Sequence, residues 1–590
     1  MYPQLKQQAS STRMRQLLHC EAATREQLRR LEALPSHQLQ GYRAVHDRYT
    51  SLLSDISRRL LEQHNRKNKT NYDFDRIVAE DYAGYLRSGI LSVLVTEHIP
   101  KLISAEFRRL LPAQPQDEYP AARRRTRKYY LHLGDTNTGK TYHAIERLKQ
   151  SGSGLYLAPL RILALENYER LNREGVPCSL LTGEEEIRVE GAVHMCCTVE
   201  KANLEQRYDV AVIDEAQLVG DSQRGDAWTR AILGLNCPEI HLCGARTAHN
   251  LLIQMIRDCG DEYEYKEYHR LVPLQMEFTP AKVASAGRGD AFVAFSKRGV
   301  LALSNALTQR GVANSVIYGD LPPEVRKLQY EAFTSGEHPV LVATDAIGMG
   351  VNLPIRRMIF TETEKFDGES YRFLTTQEVK QIAGRAGRIG IYETGYITAL
   401  DERSIFLIDE RLRSEDEPVE QAVVGPSETI LQIGLLPLQE KLALWSTEPE
   451  TLPYYRKRDV RDSILVLDLL KQYRLPEAVQ WRLMRVPFDI TSDTLLSQFS
   501  EYAHQCFAAR ADTLAKPECL CSTCSEYETY YQQINLYYSF SKAMALPLDE
   551  AWVTQARAQT AQTIQSFLTV YETKKTPRRR NENKKSAFGL

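Results

Sequence analysis

The sequence predicts an α/β protein: two tandem parallel-sheet domains between helical N- and C-terminal regions. Three observations carry this. From residue 129, short β-rich runs (GLYLAPL, VHMCCTV, YDVAVID, EIHLCGA) alternate with helical stretches, the pattern of a parallel sheet with helices on both faces. After the link YHRLVPLQMEFTP a second such set follows: AFVAFS, ANSVIYG, HPVLVATDA, RRMIFTE and TGYITAL. Both flanks instead space their apolar residues as helices do. The expected divisions are a helical accessory domain over 1–126, α/β domains over 127–279 and 280–403, a helical region over 404–571, and a polar, basic tail over 572–590 too poor in apolar residues to fold.

The N-terminal helices are read from RQLLHCEAATREQLRRLEAL and HDRYTSLLSDISRRLLEQH, with a polar break at NRKNKTNYD. Pro112, Pro115 and Pro120 read as a linker ahead of the basic run Arg123–Lys128. The first twenty residues lack Asp and Glu and carry Lys6, Arg13 and Arg15, a weak likeness to an organelle transit peptide. The helical pattern runs on past Glu21, which favours an ordinary helix.

With 590 residues the chain exceeds one hydrophobic core. Its 26% charged and 43% hydrophobic residues are ordinary for a globular protein, and the net charge of −1 means that any nucleic-acid surface must be a local patch. No apolar run reaches transmembrane length, so no membrane partner is expected. Most of the eleven cysteines sit singly or in strand-like runs, as reduced, buried thiols do.

The chemistry begins at YYLHLGDTNTGKT, residues 129–141. A strand feeds Gly134-Asp135-Thr136-Asn137-Thr138-Gly139-Lys140-Thr141, which fits G-x-x-x-x-G-K-[ST], and a helix follows. Gly134 and Gly139 let the backbone curl so that N–H groups face phosphate oxygens, and the helix N-terminus adds partial positive charge. Gly134, Thr136, Gly139, Lys140 and Thr141 are therefore nucleotide-binding candidates, with Lys140 on the β- and γ-phosphates and Thr141 on Mg²⁺. The second α/β set has no such loop.

Asp214-Glu215-Ala216-Gln217 ends the strand Val210–Ile213. Asp214 is placed to hold Mg²⁺, and Glu215 to act as general base on the attacking water. Gln381-Ile382-Ala383-Gly384-Arg385-Ala386-Gly387-Arg388 is the third piece. Helical spacing would put Gln381, Arg385 and Arg388 on one face, and guanidinium forks from a second domain suit a transferring phosphoryl group.

In order, GDTNTGKT, DEAQ, ATDAIGMGVN and QIAGRAGR resemble what superfamily-two DExH helicases carry. VIYGDLPPEVRKLQ, HPVLVATDAIGMGVNLPIRRMIF and TNTGKTYHA narrow the resemblance to the suppressor-of-var RNA helicases of the mitochondrial degradosome and their bacterial relatives, over about residues 127–545. The resemblance implies two RecA-like domains and an ATP- and Mg²⁺-dependent enzyme moving 3′ to 5′ on RNA, acting on single strands and tailed duplexes in RNA turnover with an exoribonuclease partner. It matches Gln217 to the glutamine linking nucleotide and strand, and Gln381, Arg385 and Arg388 to the nucleotide-sensing residues. Thr344 and Asp345, with Gly348 and Gly350, match the segment touching strand backbone and ATP cleft. A bacterial-type cytoplasm is the expected compartment, with the mitochondrial matrix as the alternative.

Two positions depart from the family pattern. Ala216 stands where Ile is usual, and Cys243-Gly244-Ala245-Arg246-Thr247-Ala248 stands where CGEPAA is usual, adding a cation to the coupling segment.

Strand contacts are expected at Pro159 and Arg161, at Thr182 and Gly183, and at Thr198, each after a strand's C-terminal end. Ser296 and Lys297 take the equivalent place in the second domain. Backbone tracking needs no 2′-OH, so DNA or an RNA/DNA hybrid is an alternative substrate. A second alternative is an ATP-gated RNA clamp that does not unwind, and a third is a small-molecule kinase, against which the arginine-bearing second domain counts. Finally, Cys506, Cys519, Cys521 and Cys524, with His504 nearby, make a Zn²⁺ site a competing reading to free thiols.

Overall fold

The computed structural model describes residues 1–10, 13–34, 40–348, 353–368, 370–434, 436–450 and 452–573, with side chains through residue 569. Gly350 and the basic tail lie outside these. The chain divides into two compact units, residues 1–112 with 432–436, and residues 113–431 with 437–590.

The first unit is helical. Helices Met14–Glu32 and Tyr42–Asn68 turn Leu17, Leu28, Leu53, Ile56 and Leu60 inward, and Ile77, Ile90 and Leu94 from shorter helices complete the core. The buried Glu21 carboxylate accepts hydrogen bonds from Ser57 Oγ at 2.6 Å and Ile90 N at 3.1 Å, the satisfaction that burial demands.

The second unit holds two sheets. The first has strands β1 (Lys128–Gly134), β2 (Gly154–Ala158), β3 (Cys178–Leu181), β4 (Glu186–Ile187), β5 (His194–Thr198), β6 (Val210–Ile213), β7 (Glu239–Gly244) and β8 (Glu262–Tyr268). Their order is β4-β3-β5-β2-β6-β7-β1-β8, parallel except for β4. Every residue of β2 and β6 is buried, which is why both read as unbroken apolar runs. The chain steps from β1 across β7 and β6 to reach β2, so a crevice opens at the strands' C-terminal ends.

The second sheet contains β9 (Leu274–Met276), β10 (Asp290–Val293), β11 (Asn314–Ile317), β12 (Val340–Ala343) and β13 (Arg357–Phe360); after a hairpin of β14 (Glu364–Phe366) and β15 (Tyr371–Phe373) it adds β16 (Gly395–Ala399). Its order is β11-β12-β10-β13-β16-β9, all parallel. The two expected RecA-like lobes are therefore present.

The flanks of this unit pack against the two lobes. Residues 113–127 are no loose linker: Arg123 donates to Cys259 O at 2.9 Å and Leu233 O at 2.8 Å, both in the first lobe. Nor is the C-terminal region self-contained. The paired strands β17 (Ala422–Val424) and β18 (Tyr455–Lys457) bury Ala422 and Tyr455 in the first lobe's core. The last helix, Glu550–Thr573, buries Ala561, Ile564 and Leu568 against Phe292, Val316 and Val340 of the second sheet. An open sheet face must be covered, and the chain uses a distant helix to do it. Between these, helices Asp493–Phe507 and Cys524–Met544 pack around Phe499, Ile534 and Phe540.

Arg127, fully buried ahead of β1, pairs with Asp261 at 2.6 Å and donates to the carbonyls of Ile232, Leu233 and Leu235. Removing one partner of a buried pair strands the other's charge. Arg127→Ala should therefore destabilise the protein by about 3–5 kcal/mol in chemical denaturation, an outcome that an unchanged midpoint would refute.

Candidate active site

The site forms where β1, β6 and the second lobe meet, in a cleft of about 960 Å³. Gly134 ends β1 with φ +151, and a Cβ there would lie 1.9 Å from Tyr268 O, so only glycine lets the loop leave against β8. Asn137 (φ +58) and Gly139 (φ +79) complete the curl, and helix Lys140–Lys149 starts directly after it. The Lys140 ammonium donates to Gly134 O at 2.8 Å and to Asp135 O; burial pulls its pKa down from the ordinary lysine value.

Asp214 leaves the end of β6 into this loop's helix. Its Oδ1 accepts from Thr141 Oγ1 and Glu215 N, each at 3.0 Å, and its Oδ2 from Tyr156 OH at 3.0 Å. Burial, reinforced by the neighbouring Glu215 charge, pushes its pKa up to about 6. A carboxylate and a hydroxyl side by side are hard oxygen donors of the kind Mg²⁺ takes, so Thr141 and Asp214 fit that ion. Glu215 itself adopts φ +50, ψ 49, a left-handed conformation rare for a residue with a side chain and typical of sites where geometry outweighs strain.

Gln217 Nε2 donates to Glu215 Oε2 at 2.5 Å, while Gln217 Oε1 accepts from Ala245 N at 2.9 Å. The coupling segment thus keeps a main-chain link to the Asp-Glu strand end despite its altered residues. Arg246 turns to Glu267 at 2.6 Å and Asp135 at 3.4 Å, on the cleft wall. Ala216 is wholly buried in the first lobe's core.

From the second lobe, Gln381, Gly384 and Arg385 line the same cleft. Here the helical-face expectation is corrected. Helix Thr376–Ala383 carries only Gln381; the chain turns at Gly384 and again at Gly387, where φ is +77. Arg385 therefore projects from a turn. It donates to Gly348 O from Nε at 3.0 Å and Nη2 at 2.5 Å and stands 4.0 Å from Glu215 Oε1. Arg388 lies past the second bend, where its charge acts on Glu166 of the cleft wall. Thr136 and Asn137 meet this turn directly: Asn137 Nδ2 donates to Gly387 O at 2.9 Å, and a Cβ on Gly384 would fall 1.7 Å from Thr136 Oγ1. Asp345 pairs with Lys365 at 3.2 Å and is not part of the cleft wall.

The expected strand contacts sit at the strand ends, but several are engaged by other groups. Arg161 faces Glu184 at 2.6 Å, Glu185 at 3.2 Å, Glu324 at 3.6 Å and Tyr531 OH at 3.4 Å, and its side chain is 12% exposed. Lys297 is paired with the buried Glu528, whose other oxygen accepts from Tyr318 OH at 2.5 Å. Gly183 O accepts from Ser539 Oγ at 3.3 Å and Pro159 O from Arg224 at 2.6 Å; Thr182, Thr198 and Thr344 are buried, and Ser296 caps its helix through Gly299 N. The helix Cys524–Met544 supplies three of these partners, which no local pattern announces.

Zinc is not shown: among the described residues no group of three or more His, Cys, Asp or Glu side chains is arranged to hold a metal. Cys524 Sγ turns to Glu528 at 3.8 Å and Cys521 Sγ to Glu526 O at 3.4 Å, with Cys519 beside Cys521.

Sequence reasoning missed Tyr156, Asn137 and Arg270. Tyr156 is hidden in a buried strand, and Arg270 lies in the link YHRLVPL, which carries no motif.

A phosphate loop, an Asp-Glu pair on the neighbouring strand and an arginine from a second RecA-like lobe, all around one cleft, make up a nucleotide-binding core of the helicase type. A DEXQ-box helicase domain of Suv3 matches residues 115–268, and a helicase conserved C-terminal domain matches 276–390. The ATP-dependent RNA helicase SUV3, mitochondrial, of Oryza sativa is 39% identical over 400 residues, covering 66% of this chain and 69% of that protein. The chain belongs to the Suv3 helicase family. The DExH-box ATP-dependent RNA helicase DExH16, mitochondrial, of Arabidopsis thaliana is 44% identical over 54% of this chain and 56% of its own length. The human ATP-dependent RNA helicase SUPV3L1, mitochondrial, is 41% identical over 53% of this chain and 42% of its own. The chain spans about half the length of most curated relatives it matches.

Proposed function

We propose that the protein couples ATP hydrolysis to 3′-to-5′ movement on RNA and unwinding of tailed duplexes. The observation carrying this is Arg385, which reaches across from the second lobe to within 4.0 Å of Glu215 in a cleft walled by the phosphate loop. Closing the lobes then completes the site, and opening them dismantles it.

Gly134, Thr136, Gly139 and Lys140 cradle the phosphates, and Thr141 and Asp214 hold Mg²⁺. When bound there, that ion would supply positive charge to the phosphate oxygens. Glu215 takes the proton of the water whose oxygen attacks, so that ADP and phosphate leave. Arg385 meets the charge that builds on the γ-phosphoryl oxygens, and Gln381 orients the same group. Gln217 relays the state of Glu215 to Ala245 through its paired hydrogen bonds.

The RNA strand crosses the C-terminal strand ends of both lobes, near Pro159, Thr182, Gly183, Thr198, Ser296 and Thr344, where main-chain groups hold phosphates without reading bases. Arg161 and Lys297 join that track when their carboxylate partners on neighbouring elements give way. An exoribonuclease is the natural consumer of the released strand. The relatives' names include the word mitochondrial, which favours a mitochondrial location; the cytoplasmic expectation has no support among them.

The test is ATP turnover with and without RNA and DNA, followed by strand displacement on both. Stimulation and displacement on RNA are expected. Displacement only of DNA would move the assignment to a DNA helicase, and RNA-stimulated turnover without displacement would make the protein an ATP-gated clamp.

A further inference from the structure

The link between the lobes contributes Arg270, which no motif covers. Its backbone N donates to Asp135 Oδ2 of the phosphate loop at 3.0 Å. Its guanidinium donates to Val272 O from Nε at 2.6 Å, to Gly384 O from Nη1 at 2.6 Å and to Ala386 O from Nη2; Nη1 also lies 3.5 Å from Thr136 O. Gly384 and Ala386 are the residues on either side of Arg385. One planar fork therefore holds the peptide that leads into Arg385 and the Ala386–Gly387 peptide just beyond it, and ties this turn to the link and to the phosphate loop.

The choice of partners is informative. All four side-chain contacts are carbonyls, and the nearby Arg385 repels the charge. Burial, partly offset by Asp135 and reinforced by Arg385, pulls the Arg270 pKa down to about 10. A fold seeking stability alone has cheaper ways to satisfy carbonyls than a half-buried cation beside another cation. A rigid fork with donors in fixed directions is what orienting a turn requires, and lysine's single ammonium does not provide it.

We propose that Arg270 is a positioning residue for ATP hydrolysis: it holds the turn Gly384–Ala386 against the phosphate loop so that Arg385 points at the reacting phosphoryl group. The proposal rests on the reading of Arg385 given above. Arg270 lines the cleft, but its guanidinium donates to the carbonyls of Val272, Gly384 and Ala386, so its loss should slow the chemical step while leaving ATP affinity nearly intact.

The experiment is single-turnover hydrolysis of radiolabelled ATP without RNA, over a range of ATP concentrations. The proteins are full-length wild type, Arg270→Gln, Arg270→Lys, Arg385→Ala and the double variant Arg270→Gln/Arg385→Ala. Arg270→Gln should lower the maximal rate about 10- to 100-fold, since small misplacements cost that much. Its half-saturating ATP should stay within about twofold of wild type, because uniform binding is untouched. Arg270→Lys should recover part of the rate. In the Arg385→Ala background, Arg270→Gln should change the rate by less than about twofold, because the group being positioned is gone. A full rate in Arg270→Gln, a loss seen only in half-saturation, or losses that multiply in the double variant would each overturn the proposal. Should Arg270→Gln not fold, the cycle is run with Arg270→Lys. A wild-type rate in Arg385→Ala alone would remove the role of Arg385 itself, and the proposal with it.

Discussion

Glu215→Gln should lower ATP turnover about 10²- to 10⁴-fold, the span that a positioned general base contributes. The substitution keeps the size of the side chain, and the amide oxygen can still accept from Gln217, so the 2.5 Å link that Glu215 makes to Gln217 has a counterpart. The strained φ of +50 is a backbone property that glutamine tolerates as glutamate does. Lys140, Thr141 and Asp214 are untouched, and Arg385 can still reach into the cleft. Nucleotide should therefore bind, and the lobes should close without the step that reopens them. With ATP present, the variant should release RNA more slowly than wild type. Normal turnover would sink the assignment of Glu215. Loss of turnover with wild-type RNA release would break the proposed link between cleft and strand. Arg385→Ala makes the informative contrast: turnover falls, but the closed complex loses one of its ties and RNA should not be trapped.

Lys140→Ala should abolish hydrolysis by a different route. Removing one preorganised donor to a charged group costs about 10²–10³-fold in rate. Here the lost donor is a full positive charge, in a cleft where burial already strains it. In the structure the Lys140 ammonium also holds Gly134 O, so the loop loses an internal brace. Unlike Glu215→Gln, this variant should lose affinity for nucleotide as well as turnover, and RNA should not be trapped by ATP. Fluorescent-nucleotide binding alongside ATP turnover separates the two. Wild-type turnover in Lys140→Ala would remove the nucleotide-site assignment altogether.

How much of this was legible in the chain depended on the range of the interaction. The phosphate loop could be read because its parts are adjacent: an apolar strand, glycines that permit positive φ, and a helix start. Asp214 and Glu215 could be read because a run of four buried residues makes β6 and the acids end it. The second lobe's arginines were legible as a motif but not as a geometry. Helical spacing suggested one face, whereas the helix ends at Ala383 and the chain bends at Gly384 and Gly387, so Arg385 and Arg388 do not continue the face that carries Gln381.

The sequence by itself thus determined the two parallel sheets, the phosphate loop and the acids beside it, since local backbone preference and short-range burial specify each of them. Only the tertiary structure decided that Arg385 stands 4.0 Å from Glu215. It also decided that Arg161 and Lys297 meet carboxylates brought by other elements, that the last helix closes the second sheet, and that Arg270 clasps both lobes. These depend on residues that are far apart in the chain, as Arg270 and Gly384 are, with a separation of 114 positions. Such contacts leave no periodicity in the chain, because the partner of each group is chosen by how the folded layers pack and not by its neighbours in sequence.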